Sequence, residues 1–283
     1  MRSFSELHEI IEKELADLYY PSTPKNLYDP IKYVLNIGGK RIRPILMLLS
    51  HQLFSEDIEK SLKAALGIEV FHNFTLLHDD IMDEAPLRRG LQTVHEKWDN
   101  NTSILSGDTM LVQSFHFISQ VENKNLRKVL EIFNKASTEV CKGQQWDMDF
   151  EKREDVTLSE YLKMIEYKTS VLLAASLQIG GINGGASAEQ QDHLYEFGKN
   201  IGIAFQLKDD LLDVFGNPEK FGKQVGGDII VNKKTFLYLK ALQLANESQR
   251  KQLIQLFSVL NNENKVDEVK SIFSDLNIQK HTV

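Results

Sequence analysis

The stretch Leu62–Asp83, LKAALGIEVFHNFTLLHDDIMD, decides how the chain is read. Leu62, Ala65, Leu66, Glu69 and Val70 recur at helical intervals, and the run closes on Asp79, Asp80 and Asp83. On a helix Asp79 and Asp83 share one face, a turn apart. Like charges so placed repel by roughly a few tenths of a kcal/mol in water, and by more when partly buried. The apolar residues Phe74–Leu77 just before them predict partial burial, and a cation would relieve the repulsion. All-oxygen carboxylate ligands suit Mg²⁺, which keeps several waters and commonly bridges to substrate phosphates. One such cluster can equally be a solvated acidic face. A second, Asp209, Asp210 and Asp213, has the same spacing behind another apolar run, Ile203–Leu207, and the bland reading does not cover two.

Helical spacing continues outward in both directions. Leu7, Ile10, Ile11, Leu15 and Leu18 mark a first amphipathic helix, and TLSE at 157–160 has the cap-then-Glu spacing of a helix start. Strand-like alternation is hard to find. Pro21, Pro24 and Pro30 place one early loop, Pro44 and Pro86 follow, and no proline occurs between 87 and 217. Breaks are expected at 55–57 (SED), 99–102 (DNNT), 180–185 (GGINGG) and 216–218 (GNP). No linker, charge block or repeat divides the chain. The expectation is all-α: a single-domain multi-helix bundle over residues 1–283.

The 283 residues are 42% hydrophobic and 26% charged, enough to bury a large core and too apolar for a disordered chain. Sixteen glycines and six prolines exclude collagen-like and low-complexity classes. A net charge of −7 weighs against nucleic acid as a partner. The single cysteine, Cys141, excludes a disulfide framework and fits a reducing cytoplasm; it reads as a buried small residue. No apolar run is long enough for a membrane span, and the N-terminus reads as an acidic amphipathic helix, not a signal peptide. A soluble, cytoplasmic protein is expected.

Cations are grouped as well. Gly38-Gly39-Lys40-Arg41-Ile42-Arg43-Pro44 sets three positive charges in four positions, with Pro44 favouring an extended Arg43 and then the first turn of a helix. Arg88-Arg89-Gly90 follows the first acidic cluster, and Lys168-Thr169, Lys223 and Lys233-Lys234-Thr235 come later. Arginine pairs suit bidentate phosphate contact and lysines act as point charges. Carboxylate pairs beside arginine pairs point to two polyanion sites, one through metal and one through direct cations.

In this order GGKRIRP (38–44), LLHDDIMDEAPLRRG (76–90), YLKMIEYKT (161–169), FQLKDDLLDVFG (205–216) and GK followed by GGDIIVNKKT (222–223, 226–235) resemble the motifs of the trans-isoprenyl diphosphate synthases, or polyprenyl synthetases. The resemblance implies the all-α isoprenoid synthase fold with a central substrate cavity, and Mg²⁺-dependent head-to-tail condensation of isopentenyl diphosphate with an allylic diphosphate. It implies three Mg²⁺ ions, two on Asp79 and Asp83 and one on Asp209, with Asp80, Asp210 and Asp213 in support. Arg88, Lys168 and Lys223 would grip the allylic diphosphate, with Lys233 nearby; Lys40, Arg43, His72 and Arg89 would bind isopentenyl diphosphate without metal. Metals and cations would draw the diphosphate away from the allylic carbon, the isopentenyl double bond would attack the cation, and the released diphosphate would take the proton. The Lys168 carbonyl, the Thr169 hydroxyl and the Gln206 amide would face the carbocation. His78 has no assigned role, nor do Gln144 and Asp147.

Bulk before Asp79 sets the floor of the product tunnel in that family. Phe74 lies five before Asp79 and Thr75 four before; one aromatic with a small partner resembles the archaeal geranylgeranyl type. An ideal wheel puts Thr75 on the Asp79 face and Phe74 on its flank, and Phe71 is a second candidate floor. A twenty-carbon product is favoured, with a fifteen-carbon farnesyl product the alternative. A class I terpene cyclase would lack GGKRIRP and the second DDxxD, and a non-catalytic synthase subunit tends to lose an aspartate motif. The family is usually homodimeric. The C-terminal stretch Ser248–Val283 reads as two amphipathic helices with no chemical role beyond packing.

Overall fold

The computed structural model describes residues 1–216, 226–259 and 264–282. In chain order the elements are α1 (Phe4–Ala16), α2 (Lys25–Asn36), α3 (Ile42–Gln52), α4 (Glu59–Met82), β1 (Leu87–Arg88), β2 (Leu91–Gln92), α5 (Val94–Lys97), α6 (Asn100–Ile118), α7 (Asn123–Lys152), α8 (Leu158–Ile165), a π-helical turn (Glu166–Ser170), α9 (Val171–Gly184), α10 (Ala188–Phe215), α11 (Gly227–Ile230), α12 (Phe236–Leu244), α13 (Glu247–Leu256), α14 (Lys265–Asp275) and α15 (Ile278–Thr282). The all-α expectation holds. The one sheet among the described residues is the β1–β2 hairpin, with Leu87 paired to Gln92 and Arg88 to Leu91. Its two-residue turn, Arg89-Gly90, has positive φ at both positions, the backbone that matches strand twist. Strands of two residues are too short to print an alternation in the sequence.

Local chemistry sets the helix ends. Ser3 with Glu6 and Thr157 with Glu160 form capping boxes at α1 and α8, the second as the TLSE spacing predicts. The expected break at 99–102 is a helix start, because the Asp99 carboxylate accepts the Thr102 N–H and so caps α6. Pro30 does not belong to a loop. It lies inside α2, where the hydrogen bond its ring forgoes is offset by burial of Pro30, Ile31, Val34 and Leu35. Arg43 is likewise helical, not extended: Arg41 takes the turn in a left-handed conformation (φ 47°), so Pro44 falls in the first turn of α3. Nor does 180–185 break the chain at its first glycines. Gly180, Gly181 and Gly184 lie within α9, which ends before Gly185 (φ 100°). A Cβ on Gly180 would collide with the Met47 carbonyl of α3, so these glycines buy close helix approach.

The residues gather into two compact units, Met1–Lys135 with Leu172–Gly198, and Ala136–Val171 with Lys199–Val283. In the first, α4 is buried on every side from Ala64 to Phe71 and meets α6 closely: a Cβ on Gly67 would lie 2.9 Å from the Ser114 carbonyl oxygen. Ser50 of α3 donates to the Leu177 carbonyl of α9 (2.6 Å). In the second, Tyr161, Ile165, Leu211, Val214, Leu237, Leu253 and Phe273 form one apolar core. Tyr238 stacks on Phe257 there, ring centroids 3.9 Å apart. Among the described residues no helix is long and apolar enough to cross a membrane. Cys141 is exposed on α7 rather than buried: it falls on the outward stripe of a long amphipathic helix, with Val140 and Gly143 turned inward.

Candidate active site

In the first unit, the C-terminal turn of α4 carries Asp79, Asp80 and Asp83. Asp80 is buried and is clasped by Arg88 of the hairpin, whose Nε and Nη2 donate to its two oxygens at 2.7–2.9 Å. Asp79 is half-buried and Asp83, which caps the helix, is exposed. The three cations of 40–43 separate completely. Lys40 faces solvent. The fully covered side chain of Arg41 turns inward and donates to Glu12 (2.7 Å), Glu69 (2.7 Å) and the Leu35 carbonyl (2.6 Å). Arg43 donates from Nη1 to His72 Nε2 at 3.0 Å, which requires a neutral imidazole with its proton on Nδ1.

Arg43, His72 and Arg89 therefore come together. Burial and the charges of Arg43, Arg89, Arg88 and Arg41 hold His72 well below the ordinary histidine pKa. Burial pushes Arg43 down to about 10, against the pull of Glu69, and its Nε is buried without a hydrogen-bond partner among the described residues. The Arg89 guanidinium lies on the bare backbone of Gly39: a Cβ there would sit 2.8 Å from Nη1 and 2.9 Å from Nη2. Glu12 and Glu69 match Arg41 and Asp80 matches Arg88, so Arg43 and Arg89, beside a neutral histidine, make an electropositive cradle fitted to a polyanion.

In the second unit, the π-helical turn sets Lys168 and Thr169 between two glycines. A Cβ on Gly143 would collide with the Lys168 backbone, and one on Gly202 would lie 2.6 Å from Ser170. Such bulges commonly occur at functional sites because they re-aim side chains and carbonyls. Lys168 pairs with Asp147 (2.5 Å). Thr169 donates to the Gln206 side-chain oxygen Oε1 (3.3 Å), the Gln206 amide nitrogen donates to Asp210 Oδ1 (3.2 Å), and Tyr161 donates to Asp210 Oδ2 (2.5 Å). Burial raises Asp210 despite those bonds, and raises Tyr161 well above the phenol range with the Asp210 charge adding to it. Asp209 is exposed; Asp213 is half-buried and accepts the Asp228 N–H (3.1 Å). Burial pushes the Asp228 carboxyl up to about 6, with Lys233 opposing and Asp213, Asp210 and Asp209 reinforcing. Burial also acts to raise Asp147, but the Lys233 and Lys168 charges outweigh it and lower its pKa. Lys233 thus acts on Asp147, Asp210 and Asp228 together. Lys223 lies outside the described residues.

Phe71 is fully buried and Phe74 nearly so, both within one aromatic cluster of the first unit. Phe74 meets Phe71 (centroids 5.5 Å) and the edge of His78 (4.8 Å), and Phe71 meets Phe133 (5.3 Å), which meets Phe115 (4.9 Å). Thr75 is half-buried and its hydroxyl donates to the His72 carbonyl (2.8 Å). Sequence reading passed over Phe115 and Phe133, which come from other helices. It also gave Asp147 no role and did not single out Tyr161, Asp228 or Glu12, although Tyr161 and Asp228 stand within quoted motifs. Glu69 had been read merely as a member of the inward-facing series.

The aspartates offer hard carboxylate oxygens. Among the described residues no three His, Cys, Asp or Glu side chains are gathered into a closed metal cage. Separate carboxylates fit a hard cation shared with a substrate phosphate.

A family model described as polyprenyl synthetase matches residues 24–276. The chain is 43% identical to a geranylgeranyl diphosphate synthase of Methanosarcina mazei, over 82% of this chain and 72% of that one. It is 42% identical to a short chain isoprenyl diphosphate synthase of Methanocaldococcus jannaschii, over 91% and 77%. A crystal structure of a geranylgeranyl pyrophosphate synthase, 44% identical, superposes with a TM-score of 0.93 over 100% of this chain and 88% of that one.

Proposed function

This chain belongs to the polyprenyl synthetase family and is a trans-prenyltransferase, and from that premise we propose that it makes geranylgeranyl diphosphate from isopentenyl diphosphate and allylic diphosphates. The observation that supports the assignment of its aspartates is the shared build of the two motifs. In each, the middle aspartate is buried and bound, Asp80 by Arg88 and Asp210 by Tyr161 and Gln206. The outer aspartates Asp79, Asp83 and Asp209 are the more accessible members and would hold three Mg²⁺ ions. Bound there, the metal would neutralise diphosphate charge and favour its departure.

The chain's own residues do the rest. Lys168, Lys233, Lys223 and Arg88 draw the allylic diphosphate and steady its developing charge. Lys40, Arg43, His72 and Arg89 hold isopentenyl diphosphate by cations alone; His72, kept neutral, orients Arg43 toward it. The allylic C–O bond breaks with both electrons leaving on the diphosphate, and the isopentenyl double bond forms the new C–C bond. The proton then passes to the released diphosphate. The Lys168 carbonyl, Thr169 hydroxyl and Gln206 amide stabilise the cation as neutral dipoles, with no nucleophile strong enough to trap it. Asp213 and Asp228 support the second motif. Phe74 and Phe71, backed by Phe133, limit the product, and Thr75 leaves room beside them for a twenty-carbon chain; a fifteen-carbon limit is the second reading.

The chain works as one catalytic domain. It acts in the cytoplasm as a homodimer. Support for the dimer is an apolar stripe on α6, where Leu105 and Val112 are 60% and 72% exposed, seven residues apart on one face. Asp79→Ala is expected to abolish turnover while the circular dichroism of the helices stays unchanged. Turnover that persists in this variant removes the metal assignment.

A further inference from the structure

Lys265 opens α14, in the C-terminal stretch to which the sequence assigned no chemistry, and it is 1% exposed. Its ammonium donates to the Ile230 carbonyl (3.3 Å), the Val259 carbonyl (2.9 Å) and the Asn232 side-chain oxygen, and lies 5.4 Å from the centre of the Phe257 ring. None of the three acceptors is charged. Burying an ammonium without a carboxylate is unfavourable, and a leucine or methionine would fill the same space without that cost. The charge is explained by what it ties together.

Two of its three acceptors lie in the segment Gly226–Thr235, directly before Lys233. That segment is folded on itself. Lys233 N–H donates to the Asp228 carbonyl (2.8 Å), Thr235 N–H donates to the Lys233 carbonyl (3.0 Å), and Asn232 reverses the chain in a left-handed turn (φ 60°). At its start the Asp228 N–H binds Asp213, and a Cβ on Gly226 would lie 2.6 Å from Val266, the residue after Lys265. Successive residues of α14 therefore hold the segment at its start, through Val266 against Gly226, and at its middle, through Lys265 on Ile230 and Asn232, just before Lys233. We propose that Lys265 is a positioning residue for the allylic diphosphate: it fixes the 226–235 segment and thereby sets where Lys233 and Asp228 stand.

The substrate named here rests on the function proposed above, whereas the mechanical tie does not, so the experiment reads them separately. Lys265→Met keeps the stem and removes the ammonium; Lys265→Arg restores a charge; Asn232→Gly removes one acceptor while tolerating the left-handed turn. Hydrogen exchange followed by mass spectrometry needs no substrate. In Lys265→Met, amides of 226–235 should exchange about tenfold faster while those of α4 are unchanged. Steady-state rates should show KM for the allylic diphosphate raised about tenfold and KM for isopentenyl diphosphate within about twofold of wild type, with partial recovery in Lys265→Arg. Asn232→Gly should move both readouts in the same direction by a smaller factor, and it carries the test if Lys265→Met fails to fold. Unchanged exchange in 226–235 overturns the tie. Faster exchange with both KM values raised equally, or with neither raised, overturns the link to the allylic diphosphate. A wild type that elongates no primer overturns the proposed function and, with it, the substrate named here, leaving the tie to stand or fall on exchange alone.

Discussion

Arg41 and Arg43 stand two residues apart and do opposite work. Arg41 is spent on the fold: its side chain is fully covered and its partners Glu12 and Glu69 are 29 and 28 residues away in sequence. Removing one partner of such a buried pair costs about 3–5 kcal/mol, so Arg41→Ala should show that loss in urea denaturation. Arg43→Ala should be milder in stability and instead raise KM for isopentenyl diphosphate by on the order of tenfold or more, as expected for losing a charge-assisted contact. Motif spacing alone does not separate the two, because the sequence carries charge but not the partner that cancels it. His72 adds a pH dependence whose sign follows from its neutral state. Burial and the neighbouring arginines depress its pKa, and burial depresses that of His51, so the unfolded chain takes up these protons first as pH falls. The stability they contribute is complete above the ordinary histidine pKa of about 6.5 and is lost as pH drops through and below it. Denaturation of wild type and His72→Gln from about pH 8 to about pH 5 should show a smaller acid loss in the variant.

Among the elements, those announced by local chemistry were legible and those shaped by distant neighbours were not. The capping box at Thr157 and the inward series from Leu62 to Val70 are written within a few residues, and both are found. Pro30 and the glycines of 180–184 look like breaks, yet they sit within helices because burial and close approach to Met47 outweigh local preference. The π-helical turn is a third case. Gly143 and Gly202 each face the turn without a side chain, and its backbone fits against them only because they lack one. Gly143→Ala is expected to cost about 1–3 kcal/mol in chemical denaturation, the usual range for overpacking. Its rate of prenyl transfer should fall with it, because Lys168 and Thr169 move. A variant as stable and as active as wild type would mean that the turn tolerates another backbone.

At the scale of the whole molecule, helical periodicity along the chain gave the all-α fold, and five motifs in order, from GGKRIRP to GGDIIVNKKT, gave the family. Packing partners such as Tyr161, Asp147 and Phe133 needed coordinates, since they meet the motifs only through tertiary contact. Association is tested at α6: Leu105→Glu with Val112→Glu should shift sedimentation from two chain masses toward one, while wild type sedimenting as a single chain at micromolar concentration would remove the dimer. The reaction itself is tested most directly by product analysis. Purified protein is given isopentenyl diphosphate and Mg²⁺ with dimethylallyl, geranyl or farnesyl diphosphate in separate reactions, and products are resolved by carbon number. Elongation of every primer to a twenty-carbon limit is the predicted result. A stop at fifteen would place the floor at Phe74 or Phe71 without room beside Thr75, and folded protein that elongates none of the three would contradict the assignment of a prenyl diphosphate synthase.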